Sequence, residues 1–230
     1  MTAFSEGCPV CEQGSPRHFQ AVSQTVNQTF RQQRYFRCPA CLATLMAPEC
    51  RLTDADEKAV YDLHDNHPDD PGYRRFLSRL TAPMLERLSP GSSGLDFGCG
   101  PGPAVATMMD EAGMKMSLYD PYYYPDTSAL DQRYDFVTCT EVIEHLYHPA
   151  AVFRQLDSLL LPGGLLGLMT CFQTDDSRFA NWHYRRDPTH VVFYKQATLQ
   201  WLADRFGWQL DVPAKDVAIF RKRATAPVRM

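Results

Sequence analysis

The segment Leu95-Asp96-Phe97-Gly98-Cys99-Gly100-Pro101-Gly102 constrains the fold of this 230-residue chain more than any other feature. An apolar run leads into it, its three glycines stand at alternate positions, and a helical pattern follows from Pro103 to Gly113. A strand, a glycine-rich turn and a helix N-terminus bring backbone N–H groups close to a ligand with little obstruction from side chains. Glycine spacing recurs in several nucleotide-binding folds, and the Gly-Lys-Ser/Thr of a phosphate loop is missing, so the glycines alone leave the ligand open.

Later segments make the pattern specific. Asp120 ends the apolar segment from Met116 to Tyr119, residues 134–146 read as a strand and turn, and Leu161-Pro162-Gly163-Gly164 precedes an apolar strand from Leu165 to Thr170. In this order, the segments resemble the class I S-adenosylmethionine-dependent methyltransferases, with residues 95–102 as motif I. The resemblance covers residues 90–222. It implies an α/β, Rossmann-like fold with a mostly parallel sheet of the seven-stranded type and an antiparallel last strand.

The resemblance also implies the residues that hold S-adenosylmethionine. Asp96 is placed to bind the ligand's ammonium group or to fix the glycine turn. Asp120 takes the position of the acid that binds the ribose hydroxyls; the alternative is an ordinary turn aspartate before Pro121. The predicted cofactor-binding set is Tyr73, Asp96, Gly98, Gly100, Gly102, Asp120, Thr140 and Glu141.

Tyr73 enters this set because the segment before motif I often closes over the cofactor in related enzymes. The alternatives are a contact from Arg74, or a Tyr73 that only starts a packing helix. The apolar spacing predicts that helix over Tyr73 to Leu88, with Pro83 expected to kink or divide it. An earlier helix is predicted from Asp54 to His64, with Thr53 as its N-cap.

One spacing departs from the family pattern. Only 14 residues, Pro121 to Tyr134 inclusive, separate Asp120 from the Asp135-Phe136 start of the next strand. A helix, a third strand and an acidic adenine contact usually need more. We therefore expect the third strand or its helix to be abbreviated, and we assign no adenine-binding acid.

The predicted acceptor side is the aromatic and basic segment from Phe172 to Lys195, since inserts at this point commonly form the substrate wall in these enzymes. His183, His190 and His145 are the candidate catalytic bases, because an unperturbed imidazole titrates near neutral pH. The neighbouring Arg185 and Arg186 are candidates for holding an anionic group. The alternative is an ordered connector with structural histidines.

Two Cys-x-x-Cys pairs, Cys8/Cys11 and Cys38/Cys41, are separated by 26 residues. Each turn can present two thiolates to one tetrahedral ion, so the pattern predicts a structural zinc site of four cysteines. Iron and a redox role are the alternatives. The sequence between the pairs, Arg17 to Phe36, has strand character. We expect residues 1–52 to form a zinc-ribbon-like module and residues 53–230 the methyltransferase domain.

Composition narrows the function classes. Hydrophobic residues make up 44% of the chain, enough for a packed core, and the formal charge of −4 gives no general attraction to nucleic acid or anionic membranes. No apolar run approaches the roughly 18 residues that span a bilayer, and the N-terminus lacks a secretory pattern. We expect a cytoplasmic protein without a nucleic-acid partner.

These observations predict an enzyme that transfers a methyl group from S-adenosylmethionine to oxygen, nitrogen or an activated carbon of a small-molecule acceptor. One alternative is an RNA methyltransferase that uses the zinc ribbon to bind RNA. Another is a non-catalytic protein that binds S-adenosylmethionine. The acceptor and the oligomeric state are left open.

Overall fold

The computed structural model of the chain describes residues 4, 7–26, 29–63 and 67–224. The strands are β1 (Arg17–Val26), β2 (Thr29–Arg37), β3 (Thr44–Met46), β4 (Ser93–Phe97), β5 (Lys115–Tyr119), β6 (Tyr134–Thr140), β7 (Leu160–Met169), β8 (Val192–Phe193), β9 (Gln209–Ala214) and β10 (Val217–Arg221). The α-helices are α1 (Asp54–Tyr61), α2 (Pro71–Leu85), α3 (Ala104–Glu111), α4 (Pro149–Leu159) and α5 (Gln196–Phe206). None of the described helices is long and apolar enough to cross a membrane.

The described contacts group the chain into two units. The first comprises Met1–Asp65, Ile143–Val152 and Thr170–Leu202, and the second comprises Asn66–Val142, Phe153–Met169 and Ala203–Met230. The predicted domain boundary after residue 52 stays a prediction, because a grouping by contacts does not show which segments fold on their own.

The second unit is built on a six-stranded sheet of order β5-β4-β6-β7-β10-β9. β4 pairs in parallel with β5 and β6, and β6 pairs in parallel with β7. β10 is antiparallel to both β7 and β9. This mixed α/β sheet confirms the predicted fold class, including the reversed final hairpin.

The sheet has one strand fewer than the seven-stranded type, as the short spacing after Asp120 indicated. Residues 121–133 form turns and a 3₁₀ helix from Thr127 to Asp131, with no strand or α-helix among them. A strand and its return helix need more chain than these residues provide.

The core of the second unit lies between the sheet and helices α2 and α3. Leu77, Leu80 and Met84 repeat at spacings of three and four along α2 and are completely buried. Gly167 on β7 permits this packing, because a Cβ there would lie 2.9 Å from the Met84 sulfur. α2 continues to Leu85 through Pro83, so of the two predicted effects of the proline, a kink or a division, the helix does not show the division. Pro83 cannot donate the N–H that would bond the Arg79 carbonyl, and the helix ends two residues later.

The first unit contains a four-stranded sheet of order β1-β2-β3-β8. β1 and β2 form an antiparallel hairpin from the stretch of predicted strand character between the cysteine pairs, and β8, from the aromatic insert, pairs with β3. α1 begins as predicted at the N-cap Thr53, whose side chain accepts a hydrogen bond from the Asp56 N–H. The helix ends at Tyr61, before the predicted end at His64, and His64 itself lies outside the described residues.

Candidate functional site

In the second unit, the loops after β4, β5 and β6 meet at one edge of the sheet. The chain passes from β4 to β5 on one side and then to β6 on the other, so β4 lies between its two successors. The carboxyl edge at such a switch point is where open α/β sheets bind ligands.

The glycine loop after β4 has the backbone that its sequence requires. Gly98 and Gly100 have φ values of 75° and 64°, a region that glycine enters without steric cost. A Cβ at Gly98 would lie 2.5 Å from a Val142 methyl carbon, whereas a Cβ at Gly100 would meet no atom within 4 Å. Gly98 is therefore required by packing, while Gly100 borders open space. Gly102 ends the loop and accepts a hydrogen bond from the Ala104 N–H at 2.7 Å.

The Asp120 carboxylate is buried and joins the glycine loop to the turn after β5. Its Oδ2 accepts the Gly100 N–H at 3.0 Å, and its Oδ1 accepts the N–H groups of Tyr122 and Tyr123 at 2.9 and 3.1 Å. A carboxylate has about four acceptor positions, so three bonds leave one on Oδ2. Asp120 thus has the structural role of a turn aspartate and keeps acceptor capacity toward the loop.

Asp96 is almost completely buried at the end of β4. Its Oδ1 accepts a hydrogen bond from the Thr138 hydroxyl at 2.9 Å. Burial raises the pKa of Asp96 to about 6, and the nearby charge of Asp120 adds to the effect, while the Thr138 bond opposes it. A cationic group next to Asp96 would stabilise the ionised form.

Thr140 and Glu141 follow at the end of β6. The Thr140 hydroxyl oxygen is buried and has no hydrogen-bond partner within the described ranges. Glu141 has a φ of 52°, unusual for a residue with a side chain, and its N–H donates to the Met169 carbonyl at 2.8 Å. Residues in a strained left-handed backbone cluster at functional sites, and a buried hydroxyl without a partner is rare in native proteins.

Tyr73 lies in the first turn of α2, where Asp70 accepts its backbone N–H. Burial raises the pKa of the Tyr73 phenol to about 12, with further contributions from the charges of Asp96 and Glu141. The predicted cofactor residues Tyr73, Asp96 and Glu141 are therefore electrostatically coupled. The alternative Arg74 forms an ion pair with Glu111.

In the first unit, two of the three candidate histidines lie together. The ring centroids of His145 and His190 are 4.7 Å apart. A carboxylate oxygen of Glu144 lies within 4.8 Å of a ring nitrogen of each histidine. The Glu144 carboxylate is wholly buried, and its Oε1 accepts the Tyr184 hydroxyl at 2.5 Å. Glu144 and Tyr184 were not among the predicted site residues; the adjacency of Glu144 to His145 was the available signal.

His183 does not belong to that cluster. Its side chain is exposed and lines a cavity of about 410 Å³ together with Ser177, Arg178, Asn181, Trp182 and Arg186. Of the two candidate arginines, Arg186 lines this cavity, whereas Arg185 is buried and donates to Gln24, Gln33 and Tyr35. Of the two candidates, Arg186 is therefore the one placed to meet a ligand in this cavity.

The four predicted metal ligands, Cys8, Cys11, Cys38 and Cys41, are all buried and lie in one cluster. The Cys8 and Cys41 sulfurs are 3.7 Å apart and those of Cys11 and Cys38 are 3.6 Å apart. Tetrahedral zinc with Zn–S distances of about 2.3 Å requires sulfur separations of about 3.8 Å. The cluster therefore has the dimensions of a four-thiolate site.

The two cysteine turns share one backbone design. In each, the residue after the second cysteine, Glu12 or Leu42, has a positive φ and donates its N–H to the carbonyl of the first cysteine, at 2.8 or 3.0 Å. Gly14 also packs against the cluster, because a Cβ there would lie 2.5 Å from the Cys38 sulfur. Two equivalent turns thus present two thiols each to the same point.

A family model described as a methyltransferase domain matches residues 71–211. The ubiquinone biosynthesis O-methyltransferase of Serratia proteamaculans is 33% identical over 85 residues, which are 37% of this chain and 35% of that protein. The corresponding protein of Yersinia pestis is 32% identical over the same shares of the two chains. The chain thus matches about a third of the length of these curated relatives.

Two solved structures show the same fold. An O-methyltransferase family protein from Burkholderia thailandensis has a TM-score of 0.50 and 14% identity, over 74% of this chain and 63% of that one. CalO1, a methyltransferase in calicheamicin biosynthesis in its SAH-bound form, also has a TM-score of 0.50, with 13% identity over 74% of this chain and 59% of that one.

Proposed function

Because the chain belongs to the S-adenosylmethionine-dependent methyltransferases, whose domain model matches residues 71–211, we propose that it methylates a small-molecule acceptor. When bound, S-adenosylmethionine supplies an electrophilic methyl group. The similarity to ubiquinone biosynthesis O-methyltransferases favours a small molecule over RNA as the acceptor. The formal charge of −4 supports the same choice, since binding to nucleic acid generally relies on clustered positive charge.

We assign the cofactor to the carboxyl edge of β4, β5 and β6. The observation that carries this assignment is the buried Thr140 hydroxyl, which lacks a partner in the described part of the chain. Buried polar groups are normally hydrogen-bonded, so this one fits a ligand that completes its bonding. The open space at Gly100 and the remaining acceptor position of Asp120 suit a ribose, and the Asp96 carboxylate suits the ammonium group of the methionine part.

A Thr140→Val variant tests this assignment. The free protein should be as stable as wild type or slightly more stable, because an unsatisfied buried hydroxyl is removed. Affinity for S-adenosylhomocysteine should fall about 2- to 10-fold, because one hydrogen bond contributes a net free energy of roughly 0.5–1.5 kcal/mol. Isothermal titration and thermal unfolding measure both. Thr107→Val on α3 is the control, since its hydroxyl bonds the Pro103 carbonyl within the protein. Wild-type affinity in Thr140→Val would remove Thr140 from the site.

The pKa of about 6 at Asp96 predicts two opposite pH trends. The pKa of Asp96 in the folded protein lies above the ordinary 3.8. The contribution of Asp96 to the stability of the folded state is therefore fully present below pH 3.8 and is lost as pH rises through about 6. The affinity for the cofactor should show the opposite trend with pH. It should fall about tenfold from pH 7 to pH 5, because the carboxylate becomes protonated. Asp96→Asn should flatten both trends. Unfolding and titration series over this range that show no difference between wild type and variant would contradict the role of Asp96.

We place the acceptor in the cavity around His183, Trp182 and Arg186. An exposed imidazole beside an indole and two guanidinium groups can bind an aromatic or anionic molecule and take a proton from a hydroxyl. Among the three predicted bases, His183 is the exposed one, and it is our candidate for the general base. His183→Gln should then retain cofactor binding and lose methyl transfer.

We further propose that Cys8, Cys11, Cys38 and Cys41 bind a structural zinc ion within a module of residues 1–52. The sulfur separations of 3.6 and 3.7 Å and the two matching turns support this proposal. Zinc has no redox chemistry and prefers a closed tetrahedral shell in structural sites, which suits four buried thiolates.

A further inference from the structure

A second cluster in the first unit contains a carboxylate that the methyltransferase function does not use. Glu144 is 0% exposed, and its Oε2 has no hydrogen-bond partner among the described residues, while its Oε1 is held by the Tyr184 hydroxyl. A buried carboxylate with one oxygen unsatisfied is costly unless a proton or a cation accompanies it.

The two neighbouring histidines are oriented by the backbone. His190 Nδ1 lies 2.7 Å from the Tyr184 carbonyl oxygen, and His145 Nδ1 lies 3.2 Å from the Thr189 carbonyl oxygen. Carbonyl oxygens only accept, so each Nδ1 carries a proton and each neutral imidazole has its lone pair on Nε2. Metal-binding histidines are typically held in this way, with the other ring N–H on a backbone carbonyl or a carboxylate.

Both Nε2 atoms face carboxylate oxygens at distances too long for a hydrogen bond. His145 Nε2 is 3.9 Å from Glu144 Oε1, and His190 Nε2 is 3.9 Å from Asp187 Oδ2. Asp187 is already bonded to the N–H and hydroxyl of Thr189. One ligand atom from each of Glu144, His145 and His190 lies within 4.8 Å of the other two, a spacing from which small side-chain movements can reach an ion with bonds of about 2 Å.

We propose that Glu144, His145 and His190 bind a divalent first-row transition-metal ion, at a site distinct from the four-cysteine cluster. Two neutral imidazoles and one carboxylate are the donors that such ions prefer, in contrast to the soft thiolates of the other site. Three protein ligands leave positions open for water or another oxygen ligand. The ion satisfies Glu144 Oε2 and gives His145 and His190 a role in place of the predicted one as bases.

The site can be tested by titrating zinc-loaded, full-length protein with Co²⁺ in equilibrium dialysis. We expect one Co²⁺ per chain without loss of zinc. The His190→Gln and Glu144→Gln variants should each bind Co²⁺ at least tenfold more weakly. His183→Gln is the matched control and should bind as wild type does, because His183 is exposed outside the cluster.

Proton NMR of the cobalt-loaded wild type gives a second readout that does not depend on the folding of variants. Two exchangeable, paramagnetically shifted imidazole N–H signals are expected, one from each Nδ1–H that donates to a backbone carbonyl. Absence of Co²⁺ binding to the wild type would overturn the proposal. So would Co²⁺ that shows no imidazole signals, or binding that persists unchanged in folded His190→Gln and Glu144→Gln.

Discussion

Replacing Asp120 with alanine is expected to weaken the binding of both S-adenosylmethionine and S-adenosylhomocysteine by about 10- to 150-fold. The range corresponds to about 1.5–3 kcal/mol for one hydrogen bond to a charged group. The wild-type carboxylate fixes the Gly100 N–H at 3.0 Å and keeps an acceptor position for a ribose hydroxyl, so the variant loses a ligand bond and loosens the loop. Isothermal titration of the folded variant measures the loss.

Asp126→Ala is the matched control for this experiment. Asp126 also accepts a backbone N–H two residues on, from Ser128 at 2.9 Å, but it is exposed and lies outside the glycine loop. Its replacement removes the same kind of turn contact and should leave affinity unchanged. Equal affinities of wild type and folded Asp120→Ala would show that Asp120 is only a turn residue.

Loss of zinc from the four-cysteine cluster is the other large effect that we expect. Structural zinc contributes apparent binding energies of about 10–16 kcal/mol, as large as the whole stability of a typical domain. A strong chelator, or Cys38→Ser, should therefore unfold the β1-β2-β3 region. Hydrogen exchange of residues 8–46, combined with zinc analysis, measures this directly.

Cys50→Ser is the control, because Cys50 is half-buried outside the cluster and its thiol donates to the Gln32 carbonyl. This variant should keep its zinc and its protection from exchange. Zinc retained at the wild-type level by Cys38→Ser, or unchanged protection after chelation, would contradict a structural four-cysteine site.

The features that sequence reasoning predicted well are local ones. The glycine loop follows from residues 95–102, and the positive φ values of Gly98 and Gly100 are what its glycines permit. The missing strand follows from counting residues between Asp120 and Asp135. The matching cysteine turns follow from two four-residue patterns. Each of these features depends on the geometry of a short stretch of chain, so it can be predicted from the residues of that stretch.

The features that sequence reasoning missed join distant segments. Val192 pairs with Leu45, so a strand from the aromatic insert extends the N-terminal sheet. This strand has only two residues, too few for an alternating pattern that would predict the pairing. Glu144 and His190 meet although 45 residues separate them in the chain. Arg185 and Arg186 are adjacent residues of the same type, so the sequence does not distinguish them. Arg185 is buried and Arg186 lines a cavity, because a 3₁₀ turn directs their side chains differently.

The most direct test of the proposed activity is methyl transfer itself. The zinc-replete protein would be incubated with methyl-labelled S-adenosylmethionine and, separately, with the small-molecule, RNA and protein fractions of a cell extract. We expect label to be transferred to a component of the small-molecule fraction by the wild type and not by Asp120→Ala. Label that enters RNA instead, or no transfer by protein that binds the cofactor, would contradict a small-molecule methyltransferase.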